Sequence, residues 1–249
     1  MLKIKNLTKT YKGGKTAVDN LTLSVNAGDI YGFIGHNGAG KTTTIKSIVG
    51  IHDFNSGEIH VNGMDVKKEP IKCKQDLAYI PDNPDLYEYL TGIQYLNFIA
   101  DMYGVSKEER QERIQTEAQE FGILGSLGDL IYSYSHGMKQ KLALIGAFLH
   151  EPKLLILDEP FVGLDPEASL MLKEKMRKLC SKGSAIFFST HVLEVAEKLC
   201  SRIAIISNGK LVVEGNTKEL TENKSLEDLF MEVAKHDQTD DIANKAPNM

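Results

Sequence analysis

No stretch of this 249-residue chain holds the roughly 20 uninterrupted apolar residues that a bilayer-crossing helix needs. The opening residues, Met1-Leu2-Lys3-Ile4-Lys5-Asn6, lack the apolar core of a secretory leader and read as a strand. The chain is therefore expected to be soluble by itself, with any membrane role coming through a partner. Basic charge is also short, with 29 Lys plus Arg against 34 Asp plus Glu and a net charge of −5. That balance carries no global electrostatic footprint for nucleic acid, and no nucleic-acid partner is expected. Cysteine is sparse: Cys73, Cys180 and Cys200 share no metal-ligand spacing, and their odd number argues against a disulfide framework, leaving reduced thiols. Hydrophobic content of 42% and charged content of 25% are ordinary globular values, so a substantial core is available to one large α/β domain or two small ones.

What is present begins with Gly35-His36-Asn37-Gly38-Ala39-Gly40-Lys41-Thr42, a complete Walker A loop followed by Thr43. Glycines without Cβ atoms let backbone N–H groups curl around phosphates, while Lys41 reaches the β/γ oxygens and Thr42 ligates Mg²⁺. Residues 30–34 form an apolar strand entering the loop and residues 43–49 a helix leaving it, the context that a phosphate site requires. A merely structural glycine turn does not account for Lys-Thr at this offset. Farther on, Asp158 and Glu159 close an apolar run. Two adjacent anions at the lip of a buried strand are costly unless a cation or proton relieves them.

Elsewhere the hydrophobic pattern sets the elements. Leu2 and Ile4, then Leu21, Leu23 and Val25, alternate in period two, with turns at Gly13-Gly14 and 26–29, which predicts short antiparallel strands. Residues 58–61, ahead of Asn62-Gly63, read as a further edge strand, and 77–80 as a strand closed by Pro81. From about 84 to 150 the pattern turns helical. Thr91 caps a helix carrying Ile93, Leu96, Ala100 and Tyr103, and Ser106 with Glu109 reads as a capping box ahead of Ile114, Ala118 and Phe121. Leu142, Ile145, Gly146 and Leu149 recur at helical spacing after Tyr134-Ser135-His136-Gly137-Met138. Strands at 154–157 and 185–189 then alternate with helices after Asp165-Pro166 and over 192–200, and Asn208-Gly209 joins a hairpin. The alternation implies a mostly parallel sheet wrapped by helices, and the polar residues from His236 are expected to fray.

In this order, the Walker A loop, the Tyr-Ser-x-Gly-Met run and Leu154-Leu155-Ile156-Leu157-Asp158-Glu159 resemble the nucleotide-binding subunit of an ATP-binding cassette (ABC) transporter over about residues 1–220. The Tyr-Ser-x-Gly-Met form is similar to a bacterial branch of exporters. The resemblance implies an α/β fold: a P-loop NTPase, RecA-like core with a mostly parallel sheet, an antiparallel β-subdomain and an inserted helical subdomain at about 84–150. Residues 221–249 would add a C-terminal helix and a flexible polar tail. It further implies ATP and Mg²⁺, a transmembrane permease partner, and a second nucleotide-binding subunit, identical or a close paralogue. Localisation would be peripheral, at the cytoplasmic face of the membrane.

Residue by residue, the resemblance makes Tyr11 an adenine-stacking aromatic and 35–43 the phosphate cradle. Asp158, with Thr42, becomes a metal ligand, Glu159 the group that polarises the attacking water, and His191 the switch that contacts γ-phosphate and holds Glu159. An imidazole suits that task because it donates to a phosphate oxygen while accepting elsewhere. Gly163-Leu164-Asp165 matches the D-loop, where Asp165 also caps a helix. Ser135, His136, Gly137 and Met138 would meet the γ-phosphate held by the opposite subunit from a helix N-terminus, whose orphan donors suit an anion. His136 and Met138 stand where the commonest family form has Gly and Gln. Asp82 stands where most members carry a Mg²⁺-sensing Gln, and it is assigned the same sensing role. The aromatics Tyr87, Tyr89, Tyr95, Phe98 and Tyr103 are shared between core and a partner groove.

The main alternative is a non-transport member of the superfamily acting on ribosomes or nucleic acid; it lacks support from sustained heptads, Cys pairs or a second cassette. A GTPase switch lacks an Asn-Lys-x-Asp guanine-reading motif.

Overall fold

The computed structural model describes residues 1–243, with side chains through residue 235. Strands β1 (Leu2–Thr10), β2 (Thr16–Val25), β4 (Ser56–Val61) and β5 (Met64–Asp65) form an antiparallel sheet in the order β2-β1-β4-β5. The segment expected as an edge strand is β4, and it is internal. It pairs with β1 on one side, while the two-residue β5 turns back through Asn62-Gly63 to take its other edge.

The second sheet has six strands in the order β10-β9-β3-β8-β7-β6. These are β3 (Ile30–Ile34), β6 (Leu77–Ile80), β7 (Leu154–Asp158), β8 (Ala185–Thr190), β9 (Arg202–Ser207) and β10 (Lys210–Asn216). All pairs are parallel except the β9–β10 hairpin, whose Asn208 and Gly209 take φ of 46° and 79° as a tight primed turn requires. Strands β3, β7 and β8 are buried along their whole length, which is why they read as continuous apolar runs rather than alternating ones. Successive residues still face opposite sides: Ile30 and Ile34 pack into the core beneath the helices, and Tyr31 and Phe33 into the core shared with the antiparallel sheet.

The helices are α1 (Lys41–Ile48), α2 (Pro70–Asp76), α3 (Gly92–Met102), α4 (Lys107–Glu120), α5 (His136–Phe148), α6 (Pro166–Ser181), α7 (Leu193–Leu199), α8 (Thr217–Leu220) and α9 (Leu226–Ala243), with short 3-10 turns at Leu124–Ser126 and Ile131–Ser133. Thr91 closes a reciprocal capping box with Gln94. At α4 the expected box is only half formed. Ser106 Oγ accepts from Glu109 N, but the Glu109 carboxylate takes the Ser106 hydroxyl proton rather than the backbone N–H. Helix α2, opened by Pro70, has no counterpart in the sequence reading; only Cys73 of it is buried, so it carries no apolar stripe. The fraying expected from His236 is corrected in part: α9 continues to Ala243, and residues 244–249 lie outside the described residues.

All three cysteines are free and buried. Cys200 Sγ lies 2.7 Å from where a Cβ on Gly32 would stand, so the strand and the thiol fit only because residue 32 is glycine. Burial raises all three thiols, Cys180 to about 12 and Cys200 further still.

Parallel pairing has one consequence for function. The strands β3, β6, β7 and β8 end at the same edge of the sheet, so the segments starting at Gly35, Pro81, Glu159 and His191 converge there.

Candidate nucleotide site

At that edge lies a cavity of about 350 Å³ lined by Tyr11, Lys15, Ala17, Asn37, Gly38, Gly40, Lys41, Thr42, Thr43, Asp82, Asp158 and Glu159. Two loop glycines are there for space. A Cβ on Gly35 would stand 2.6 Å from the Ile206 carbonyl oxygen, and one on Gly40 (φ +112°) 2.4 Å from that of Ala17. Lys41 begins α1 and turns back into the loop, its Nζ donating to the carbonyls of Gly35 at 2.7 Å and His36 at 3.3 Å. The same ammonium lies 3.5 Å from Glu159 Oε1.

Asp158 and Ser189 are direct partners in the β7–β8 register, and the Ser189 hydroxyl donates to Asp158 Oδ1 at 2.5 Å. Burial pushes the Asp158 carboxyl above the usual range. The hydroxyls of Ser189 and Thr42 oppose that rise, and Asp82 and Glu159 add to it. Its other oxygen, Oδ2, is buried without a hydrogen-bond partner. An orphaned carboxylate oxygen beside Thr42 and Asp82, in a cavity shaped for phosphates, fits a hard divalent cation that takes few ligands from protein and the rest from phosphate and water. Thr42, Asp158 and Asp82 are the oxygens that would hold Mg²⁺.

Glu159 adopts φ +49°, an uncommon conformation for a residue with a Cβ, and it is pinned there. Its N–H is received by the Ser189 carbonyl at 3.2 Å and approaches Ser189 Oγ at 3.1 Å. Its Oε2 accepts from His191 N at 3.3 Å and faces His191 Nδ1 at 2.9 Å. The carboxylate thus sits between the Lys41 ammonium and the His191 ring. Which ring nitrogen donates depends on the tautomer, so the Nδ1 contact places the ring against Glu159 without fixing its proton.

Tyr11 follows β1, and its hydroxyl lies 3.1 Å from Thr43 Oγ1. Gly35, His36 and Ala39 support the loop without lining the cavity: the first two through their carbonyls, Ala39 as a buried side chain. Ser135, His136, Gly137, Met138 and Asp165 do not line it either. Ser135 caps α5 with its side chain accepting from Met138 N, and the His136 ring packs where a Cβ on Gly163 would stand, 2.7 Å away. Asp165 caps α6 through Ala168 N at 2.8 Å and pairs with Lys141 at 2.7 Å. One chain therefore brings the P-loop and both carboxylates together, and it leaves the Tyr-Ser-x-Gly-Met helix tip outside that cavity.

Sequence reasoning did not find Ser189 or Lys15. Ser189 carries a faint signal, a hydroxyl one residue before Thr190-His191 in an otherwise apolar strand. Lys15, an exposed turn residue, carries none.

The phosphate loop at the carboxyl edge of a parallel sheet, with Asp158 and Glu159 opposite, defines a P-loop nucleoside-triphosphatase. The sequence pattern of the family described as "ABC transporter" matches residues 18–162. EcsA of Bacillus subtilis (strain 168), an ABC-type transporter ATP-binding protein, is 38% identical over 242 residues, covering 95% of this chain and 98% of the relative. LnrL of the same organism, a linearmycin resistance ATP-binding protein, is 36% identical over 220 residues, 88% of this chain and 70% of the relative. A solved structure of the ATP-binding subunit of an ABC transporter superposes with a TM-score of 0.90 at 37% identity, covering 94% of this chain and 99% of that one. The chain belongs to the ABC transporter family, as an ATP-binding subunit.

Proposed function

We propose that two copies, or this chain and a close paralogue, close head to tail around ATP, and that this motion drives export through a separate transmembrane permease. The observation that carries the reading is the split site: P-loop residues and the carboxylate pair line one cavity, His191 stands behind it against Glu159, and an anion-suited helix N-terminus at Ser135–Met138 is not brought to it by this chain. A second chain would supply the missing wall, so nucleotide becomes part of the interface.

In this scheme Lys41 binds the β/γ oxygens, the loop N–H groups orient the triphosphate, and Tyr11 stacks on adenine. Bound Mg²⁺ supplies charge neutralisation at the phosphates. Glu159 orients the attacking water and accepts its proton, and His191 fixes the carboxylate that does so. Ser135 and Gly137 of the opposing copy approach the γ-phosphate, with His136 and Met138 shaping the tip and Asp165 set at the subunit contact. Most of the rate enhancement is positioning plus electrostatic stabilisation.

The permease is assigned to a second cavity, about 300 Å³, whose lining includes Pro84, Leu86, Tyr95, Ile99, Tyr103 and Ala147. Tyr87, Tyr89 and Phe98 are exposed, with the Tyr87 ring 5.6 Å from that of Phe98 in edge contact. Asp82 belongs to the segment joining this groove to the nucleotide cavity. Localisation follows from the partner, at the cytoplasmic face of the membrane; among the described residues no helix is long and apolar enough to cross it. The tie to export is the Tyr-Ser-x-Gly-Met run together with kinship to a resistance protein. Action on ribosomes or nucleic acid gains nothing from relatives that are named as transporter components.

Complementation tests the split site. A Lys41→Met chain and a Ser135→Arg chain, each inactive alone, will regain up to about a quarter to a half of the wild-type ATPase when mixed, because the mixed pair keeps one intact site. Activity that stays at the level of the separate variants would sink the head-to-tail arrangement. Asp82→Ala is expected to weaken Mg²⁺-dependent ATP turnover about three- to tenfold and to uncouple it from the permease; unchanged closure and unchanged coupled hydrolysis would remove Asp82 from the mechanism.

A further inference from the structure

Tyr11 is held by more than its own strand. Its hydroxyl meets Thr43 in the first turn of α1, and its ring meets His52 edge-on, centroids 6.0 Å apart and planes at 89°. His52 lies in the loop that leaves α1, with its N–H bonded to the Lys46 carbonyl at 3.0 Å. That loop is also tied to the end of β1. Asn55 Oδ1 accepts from Thr10 N at 2.7 Å, and Asn55 N donates to the Thr8 carbonyl at 2.9 Å. The Lys9 ammonium stands 5.2 Å from the Tyr11 ring centroid. Both ends of the P-loop helix therefore reach the same aromatic, and the trailing end reaches it through His52, which does not itself line the nucleotide cavity.

We propose that His52, with Asn55, is a positioning residue for the base platform: it fixes the Tyr11 ring in the orientation that receives the nucleobase, and so sets base-dependent affinity without touching nucleotide. This rests on the reading of Tyr11 as the adenine-stacking residue. The chemistry is simple. An edge-on imidazole confines a ring whose hydroxyl is already tethered, so less torsional freedom is lost when a base stacks. Asn55 locks the main chain that carries the ring. Triphosphate binding depends on the other end of α1 and is left alone.

The experiment separates base from phosphate. Kd for ATP and for inorganic tripolyphosphate, together with kcat and KM for ATP, are measured on the full-length chain and on His52→Ala, His52→Phe, Asn55→Ala and Tyr11→Ala. His52→Ala and Asn55→Ala are expected to raise Kd and KM for ATP about three- to tenfold, with tripolyphosphate affinity and kcat unchanged, and His52→Phe to restore the ATP values. Equal weakening toward ATP and tripolyphosphate would mean that the loop only supports the P-loop helix, and would overturn the proposal. Wild-type ATP affinity in His52→Ala alongside weakened binding in Tyr11→Ala would overturn it while sparing the Tyr11 reading. Wild-type affinity in both would remove the platform itself, and the proposal with it.

Discussion

Glu159→Gln will abolish turnover and retain ATP. The substitution keeps the size of the side chain and an oxygen for His191 N, so the pinned backbone at φ +49° has no reason to change. What it removes is the anion 3.5 Å from Lys41 and the proton acceptor for the attacking water. Loss of a positioned general base costs about 10²- to 10⁴-fold, and hydrolysis is expected to fall into that range. Binding of ATP should be preserved or tightened, because Lys41 no longer divides its charge between the carboxylate and phosphate. Sedimentation with ATP and magnesium should give a stable dimer. A variant that hydrolyses at the parental rate, or sediments as a single chain under those conditions, contradicts the assignment of Glu159.

Asp158→Asn is expected to move activity and stability in opposite directions. Hydrolysis should drop by at least about 100-fold, since a metal-holding oxygen is lost and even outer-sphere changes cost 10- to 100-fold. The ligand-free fold, by contrast, should melt a few degrees higher. The reason is linkage. Burial raises the Asp158 carboxyl in the folded chain above its unfolded value, so folding retains a proton that the unfolded chain has released. Stability conferred by the neutral form is therefore present at acid pH and lost as pH climbs from the unfolded to the folded pKa, with the full penalty above that. Thermal melts of wild type without nucleotide or divalent cation should show this decline, and Asp158→Asn should lack this component. Equal pH profiles for the two proteins would show that Asp158 is not the strained group.

Much of this was legible from residues alone. Local signals that act within a few residues were read correctly: the Ser106 and Asp165 caps, the Asn208-Gly209 turn, and the apolar strand entering the P-loop with the helix leaving it. Such signals are complete within their own segment. What could not be read were relations between distant segments. Whether β4 lies at an edge depends on what turns back against it, and two residues of β5 give no periodicity. Ser189 supports Asp158 only because β7 and β8 pair in that register, and register is a property of two strands. Helix α2 has a single buried residue, and with no amphipathic stripe it left no pattern.

The interior placement of Cys73, Cys180 and Cys200, with all three thiols disfavoured as thiolates, makes the native thiols poor targets for thiol-directed alkylating reagents. Engineered thiols can therefore be read against an unmodified background. Paired probes such as Ser135→Cys and Asn37→Cys would report, by cross-linking under nucleotide, how closely two copies approach, and no native sulfur would need to be removed first.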